Sequence, residues 1–449
     1  MKTAGVIAEY NPFHNGHKYQ LDKIRQETGA NYIIAAMSGD FLQRGVPAMT
    51  DKYRRTRMAL SGGADLVLEL PSMYATASAE LFARGGVNLL ASTGVVDVLC
   101  YGCEINQPLL MKKIVSLLTE ESPEYQKQLR VYLTAGDSFP TARAKALGSL
   151  LTKQQPAEAF LASPNNILAV EYEKALALLP ESISHKPVSH PILRVGGGYH
   201  SRELSTGTDP KTASFASATA IRSALDSCGS EKDIQEKLYG AVPDAVLSML
   251  CDAFSHQALL TEDDCSTALY TRLWSCRESG YESFADCSRE LSHKIQNHLD
   301  EFVSFTQFAE LLKSRELTYT RVCRVLTHIM LGITREDLSG HAATKITHKN
   351  LTADTAAKKL LEAPASSLVP CLRVLGFRKS ATPLLSAIKK EASVPLITKV
   401  SDASRILSPE AYSMLQMDIR CGDLYRSILS IRSHTTLPNE FTHGLIIVP

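Results

Sequence analysis

Apolar positions cluster in the first half of the chain as short runs, each closed by turn-forming residues and separated by longer stretches of helical composition. Residues 4–8, 32–37, 64–70, 95–100 and 190–195 read as strands. The first four are joined by connections of about 25 residues, the length of a right-handed βαβ crossover, which predicts a parallel sheet. In open sheets of this kind, ligands bind beyond the carboxyl ends of the strands. His14, His17, Ser38-Gly39-Asp40 and Gly102 are therefore expected on one edge. Residues 105–162 read as polar and mostly helical. Ser163 and Pro164 then form a helix start, with Asn165 and Asn166 in its first turn.

Beyond residue 236 the strand signals fade. Val322, Val325, Leu326, Ile329 and Met330 recur at helical spacing, while Arg321, Arg324 and His328 share another face. The pattern predicts an α/β fold: a parallel-sheet domain over 1–235, followed by a mainly helical domain over 236–449. Trp274 is expected in the core of the latter.

Composition adds a polyanion to the picture. The chain has 449 residues, 44% hydrophobic and 21% charged, with a net charge of only +1. Residues 236–309, however, carry 5 Lys/Arg against 12 Asp/Glu, a net of −7, and residues 310–399 carry 15 against 7, a net of +8. The basic block, with Arg321, Arg324, Arg373, Arg378 and Lys379, is the footprint expected of an RNA-binding surface, although two adjoining segments could also neutralise each other. The ten cysteines lack framework spacing. The single Cys100/Cys103 pair has no second pair to complete a zinc site, and reads as small residues on a buried strand. Glu9 and Asn11 interrupt the N-terminal apolar run, and no apolar run approaches a membrane span, so a cytoplasmic protein without a membrane partner is expected.

The chemistry concentrates at His14-Asn15-Gly16-His17, directly after the first strand and at a helix start. Backbone N–H groups there attract anions, and two imidazoles could donate to phosphate oxygens. The same spacing admits a helix-capping pair or, less readily without further ligands, zinc. Ser214 to Arg222 reads as a second phosphate-ready helix start, and the turn 196–200 as Gly-rich, without the Gly-Lys-Ser/Thr of a P-loop. Four cations between Lys52 and Arg57 suit phosphate contacts or a solvated helix face.

His14-Asn15-Gly16-His17 together with Ser217-Ala218-Thr219-Ala220-Ile221-Arg222 resembles the paired signature of the nucleotidylyltransferase superfamily, which implies a Rossmann-like α/β domain for the first half. The longer stretches 5–17, 38–45, 63–71 and 164–168 resemble the bacterial tRNA(Met) cytidine acetate ligases. The likeness is close to about residue 225 and looser through 317–321 and 373–377. Cys103 stands where that family usually has serine, and Glu316-Leu317 where it tends to keep Arg-Tyr. The resemblance implies activation of acetate by ATP to acetyl-adenylate, then acetylation of N4 of the wobble cytidine, C34, in elongator tRNA(Met), with no DNA partner. It puts ATP on Ile7, Ala8, Glu9, Tyr10, Asn11, Pro12, Phe13, His14, Asn15, Gly16, His17, Lys18, Tyr19 and Gln20, and on Gly102, Asn165 and Arg194. His14, His17 and Arg222 are the expected catalytic groups, stabilising charge on the phosphates with Mg²⁺ bridging them. A nucleotidylyltransferase for a small phosphorylated acceptor, or a nonenzymatic nucleotide-binding RNA adaptor, would use the same first half.

Overall fold

The computed structural model describes residues 1–151, 157–181, 183–194, 215–340 and 368–449. The five apolar runs become β1 (Thr3–Ala8), β2 (Tyr32–Ser38), β5 (Leu66–Leu70), β6 (Val98–Cys103) and β7 (Val188–Leu193). A small antiparallel ribbon, β3 (Phe41–Leu42) and β4 (Val46–Pro47), follows β2. These five strands are mutually parallel in the order β5-β2-β1-β6-β7. A parallel sheet is covered on both faces, so its strands read as continuous apolar runs. In β2, Ile33, Ala35 and Met37 join one core cluster with Leu21 and Ile24 of α1 (Asn15–Thr28) and Met58 and Leu60 of α2 (Lys52–Ser61). Ile34 and Ala36 join the other, against the helices Ala79–Ala91 and Pro164–Ala177.

Two strands lie later or earlier than their apolar runs suggest. β6 begins three residues on, because Val96 packs over Gly5 before the chain enters the sheet, so Gly102 and Cys103 lie within the strand. β7 ends at Leu193. The Gly-rich turn expected at 196–200 and the loop 201–213 lie outside the described residues.

The second half is mainly helical but not free of strands. β8 (Leu372–Arg378) pairs antiparallel to β5 and extends the same sheet, with β9 (Leu396–Ile397) and β10 (Ile446–Val448) parallel beside it. The expectation that strands end with the first half is thus corrected: the polypeptide returns to the sheet after its helical excursion. The helix expected around Val322 spans Tyr319–Leu331, and Val322, Val325, Leu326 and Ile329 are fully buried. It lies directly against the β3–β4 ribbon. Gly45, at φ +72°, is so close that a Cβ would fall 2.3 Å from the backbone nitrogen of Arg324, and Thr327 Oγ1 donates to the Gly45 carbonyl at 2.7 Å.

Candidate active site

The sheet order reverses at β1, with β2 on one side and β6 on the other, and a cleft opens beyond the carboxyl ends of these strands. From Ala8 the chain turns through Tyr10, at φ +49°, into α1. Tyr10 is buried, its ring against Phe13 and edge-on to His17, both with centroids 4.9 Å away. His14 is the N-cap of α1. Its Nδ1 accepts from the Gly16 amide at 3.1 Å, and His17 Nδ1 accepts from the His14 amide at 3.3 Å. The two rings stack with centroids 3.7 Å apart.

That capping geometry fixes the chemistry of the pair. A ring nitrogen that accepts from an amide carries no proton, so each neutral imidazole holds its proton on Nε2, where it is a donor. Burial, reinforced by the positive charge of Arg194 and Arg222, lowers the pKa of His14 to about 3. Burial, His14 and Arg194 hold His17 well below the usual histidine range. Capping and anion binding, alternatives in the sequence, use different nitrogens of the same rings.

Arg222 reaches the site from a distant segment. Ser217 caps the helix Ala218–Asp226 by accepting from the Ala220 amide. Arg222 Nη1 donates to the Asn11 carbonyl at 2.8 Å and Nη2 to Thr219 Oγ1 at 3.3 Å, tying the second motif to the first. On the other side of β1, the Arg194 stem passes over Gly102; a Cβ on Gly102 would sit 3.4 Å from Arg194 Cγ, an ordinary contact. Protein packing therefore does not demand glycine there. Asn165 lines the cleft with Nδ2 donating to Glu104 Oε1, whereas Asn166 is fully buried and accepts from the Glu104 and Ile105 amides.

Of the expected ATP-contacting residues, Ile7 to Asn11, His14, His17, Gln20, Gly102, Asn165 and Arg194 line the cleft. Others face elsewhere. Phe13 is fully buried and fills the space left by Gly62, and Pro12 is also buried. Asn15 Nδ2 donates to the Gly240 carbonyl, Lys18 pairs with Asp22 at 2.8 Å in solvent, and Tyr19 packs on Phe215, with which Gly16 is also in near contact. Gln43, Arg44, Tyr101 and Tyr172 line the cleft without having been singled out for it, and Thr219 of the second phosphate-ready helix start lines it as well. The stretch 38–45 carried the signal for Gln43 and Arg44: Gln43 N–H donates to Glu9 Oε1 at 2.7 Å, holding the ribbon over the end of β1.

The cation run after Lys52 is corrected more sharply. Arg55 is fully buried and donates to the carbonyls of Thr50, Glu9, Ser38 and Gly39, bracing the ends of β1 and β2 from beneath the cleft. Lys52 is buried with Glu69 at 2.8 Å and Glu440 at 3.0 Å. Burial raises Asp40 beside it to about 7, against the opposing pull of Lys52. Arg373, expected on an RNA surface, is also buried, paired with Glu69 at 2.7 Å and with Glu440. It sits inside the sheet because two carboxylates there require a cation. Arg324 is largely buried against Asp286, and His328 is buried between the Ala285 and Thr76 carbonyls.

Arg378 ends β8 and Lys379 follows it at the amino ends of β2 and β5, where Arg378 N–H donates to the Asp65 carbonyl and Tyr32 Oη meets the Ser380 carbonyl. That edge is opposite to the cleft. Arg321 lies on the cleft side, beside Asp286. Trp274, expected in the core, is 53% exposed, with Arg277 over its ring. Cys100 and Cys103 are buried strand residues, as expected. Among the described residues no group of three His, Cys, Asp or Glu could hold a metal, and no helix is long and apolar enough to cross a membrane.

The chain matches the family described as HIGH Nucleotidyl Transferase over residues 1–367 and 350–437. It is 33% identical over 449 residues to the tRNA(Met) cytidine acetate ligase of Acetivibrio thermocellus, covering 100% of both chains. It is 35% identical over 440 residues to that of Clostridium kluyveri, covering 95% of this chain and 98% of the other. Among solved structures it resembles Thermotoga maritima TmcAL in its apo form, at TM-score 0.84 and 26% identity. It also resembles TmcAL bound with alpha-thio ATP, at TM-score 0.82 and 27% identity. Both cover 100% of the two chains.

Proposed function

The chain belongs to the HIGH nucleotidyl transferase family and, within it, to the tRNA(Met) cytidine acetate ligases, and from that premise we propose how its own residues divide the work. The enzyme is an ATP-dependent ligase that acetylates a cytidine of tRNA(Met). We assign the acceptor as N4 of the wobble cytidine of the elongator tRNA, and the cytoplasm as the place of reaction.

Acetate is a poor acyl donor until an oxygen is made a leaving group. In the first step a carboxylate oxygen bonds to the α-phosphorus of ATP and the bond to pyrophosphate breaks. Negative charge grows on the phosphate oxygens, so fixed donors are worth most there. His14 and His17 supply two Nε2–H groups whose protons are set by capping rather than by pH, and Arg222 supplies a guanidinium anchored on Asn11. Arg194 and Gly102 hold the nucleotide beside β6. In the second step N4 bonds to the acyl carbon, AMP leaves with the electron pair of the acyl C–O bond, and N4 releases a proton. Any Mg²⁺ would arrive on the triphosphate, because among the described residues of the cleft no donor set fits a resident ion.

The observation that supports this reading most is the convergence of four distant segments, carrying the His pair, Gly102, Arg194 and Arg222, on one cleft at the switch point of the sheet. We propose that 1–235 activates acetate and that the helical portion of 236–449, with Arg321 on the cleft side, receives the RNA. Incubation with ATP, acetate and bulk tRNA, followed by nucleoside mass spectrometry, should reveal N4-acetylcytidine. Its absence in the complete mixture would contradict the assignment.

A further inference from the structure

The nucleotide cleft does not end at Arg222. A second groove, of about 670 Å³, opens from it, and Asn11, Arg44, Val46, Thr219 and Arg222 form a wall common to both. The far walls belong to the helical half: Glu262 on one side, Tyr319 and Thr320 at the start of the helix Tyr319–Leu331 on another. The relation between the two grooves is fixed, because that helix is pressed on the ribbon at Gly45, next to Arg44.

We infer that this second groove takes the acceptor nucleotide, one unpaired cytidine turned out of its loop, whose N4 meets the acyl-adenylate across the Arg44–Arg222 wall; this rests on the acetate-ligase reading above. The adenylate fills the first cleft, so its acyl carbon must be approached from a different side, and the shared wall is the one where the phosphate-binding arginine stands. The groove lies within the roughly 300–1,000 Å³ of ordinary ligand pockets, room for one base and its sugar. Its chemistry suits that occupant. Tyr319 is a half-buried aromatic on which a base can stack. Glu262 is a half-buried carboxylate, an acceptor for the N4 hydrogens of cytosine, which uracil, with a carbonyl oxygen in that place, could not satisfy. Arg44 and Arg222 face the phosphates. The groove thus assigns acceptor specificity to a segment of the acidic block, not to the basic one.

The test uses the full-length enzyme and tRNA carrying 5-iodocytidine at the acceptor position, cross-linked by near-ultraviolet light and mapped by mass spectrometry. Cross-links at Tyr319 or the residues facing it are expected. In parallel, Ser223→Trp on the helix Ala218–Asp226 and Thr320→Trp on the helix Tyr319–Leu331, both at positions that line the groove, fill it. Each should lower acetyl transfer to tRNA by about tenfold or more while acetate-dependent pyrophosphate exchange stays within about twofold. Glu262→Gln should narrow the preference for cytidine over uridine in competition binding of short single strands. Cross-links confined to another surface, such as the Arg378–Lys379 edge, would overturn the assignment, as would undiminished transfer in both filled variants. Exchange that needs no acetate would instead overturn the ligase reading on which the occupant depends.

Discussion

Asparagine at position 14 would separate two tasks that histidine performs together. Asn is a good N-cap, so His14→Asn should keep α1 and its acceptor for the Gly16 amide. It loses Nε2–H, and with it one donor to the phosphates. The expected outcome is a folded protein whose adenylation rate falls by about 10²–10³, the cost typical of one transition-state donor. A folded variant with full activity would show that the ring serves the cap alone. The pair also shapes stability against pH. The unfolded chain takes protons on histidine near 6.5, whereas His14 takes one only near 3. Between those values the unfolded chain binds more protons, so stability is complete above 6.5 and falls as the pH drops through that window. Melting scans from pH 7 to 4 should show this slope, and a shallower one in His14→Asn. At this scale the His pair was legible as a helix start, because its place after a strand predicts the cap that the structure shows. Lys52, Arg55 and Arg373 were not. A cation reads the same in sequence whether it meets water, a phosphate or a carboxylate from the far end of the chain.

Two glycines make opposite predictions about elements. At Gly45 both the φ of +72° and the backbone of the facing helix exclude a side chain. Gly45→Ala should push the β3–β4 ribbon off the helix Tyr319–Leu331, lower the melting temperature and weaken both half-reactions together. At Gly102 a methyl group meets only ordinary contacts within the protein. Gly102→Ala should therefore melt like the parent but bind ATP about tenfold more weakly, measurable by calorimetry; unchanged ATP affinity would remove Gly102 from the nucleotide site. The parallel strands were legible as continuous apolar runs, within two or three residues. β8 was not, because Arg373 and Gly376 interrupt its apolar character, and both are explained only by neighbours: Glu69 and Glu440 for the arginine, Ile446 and Thr56 packed over the glycine.

For the whole molecule, the buried charges join the ends of the chain. Lys52 and Glu69 from the first half meet Arg373 and Glu440 from the last, so the final third is fastened to the sheet that bears the cleft. Removing one cation leaves a carboxylate buried without compensation. Arg373→Met should cost about 3–5 kcal/mol in denaturant unfolding, a loss of stability rather than a selective loss of RNA affinity. Charge reversal at the surface should sort the basic block by edge: Arg321→Glu should weaken tRNA binding in filter assays, and Lys379→Glu, on the edge away from the cleft, should leave it unchanged. The central claim is that paired neutral histidines at the switch point activate acetate as its adenylate. Exchange of labelled pyrophosphate into ATP tests it most directly. The parent should exchange label only when acetate is present, and His17→Ala should lose that exchange by about a hundredfold or more. Exchange without acetate, or full acetate-dependent exchange in His17→Ala, would contradict it.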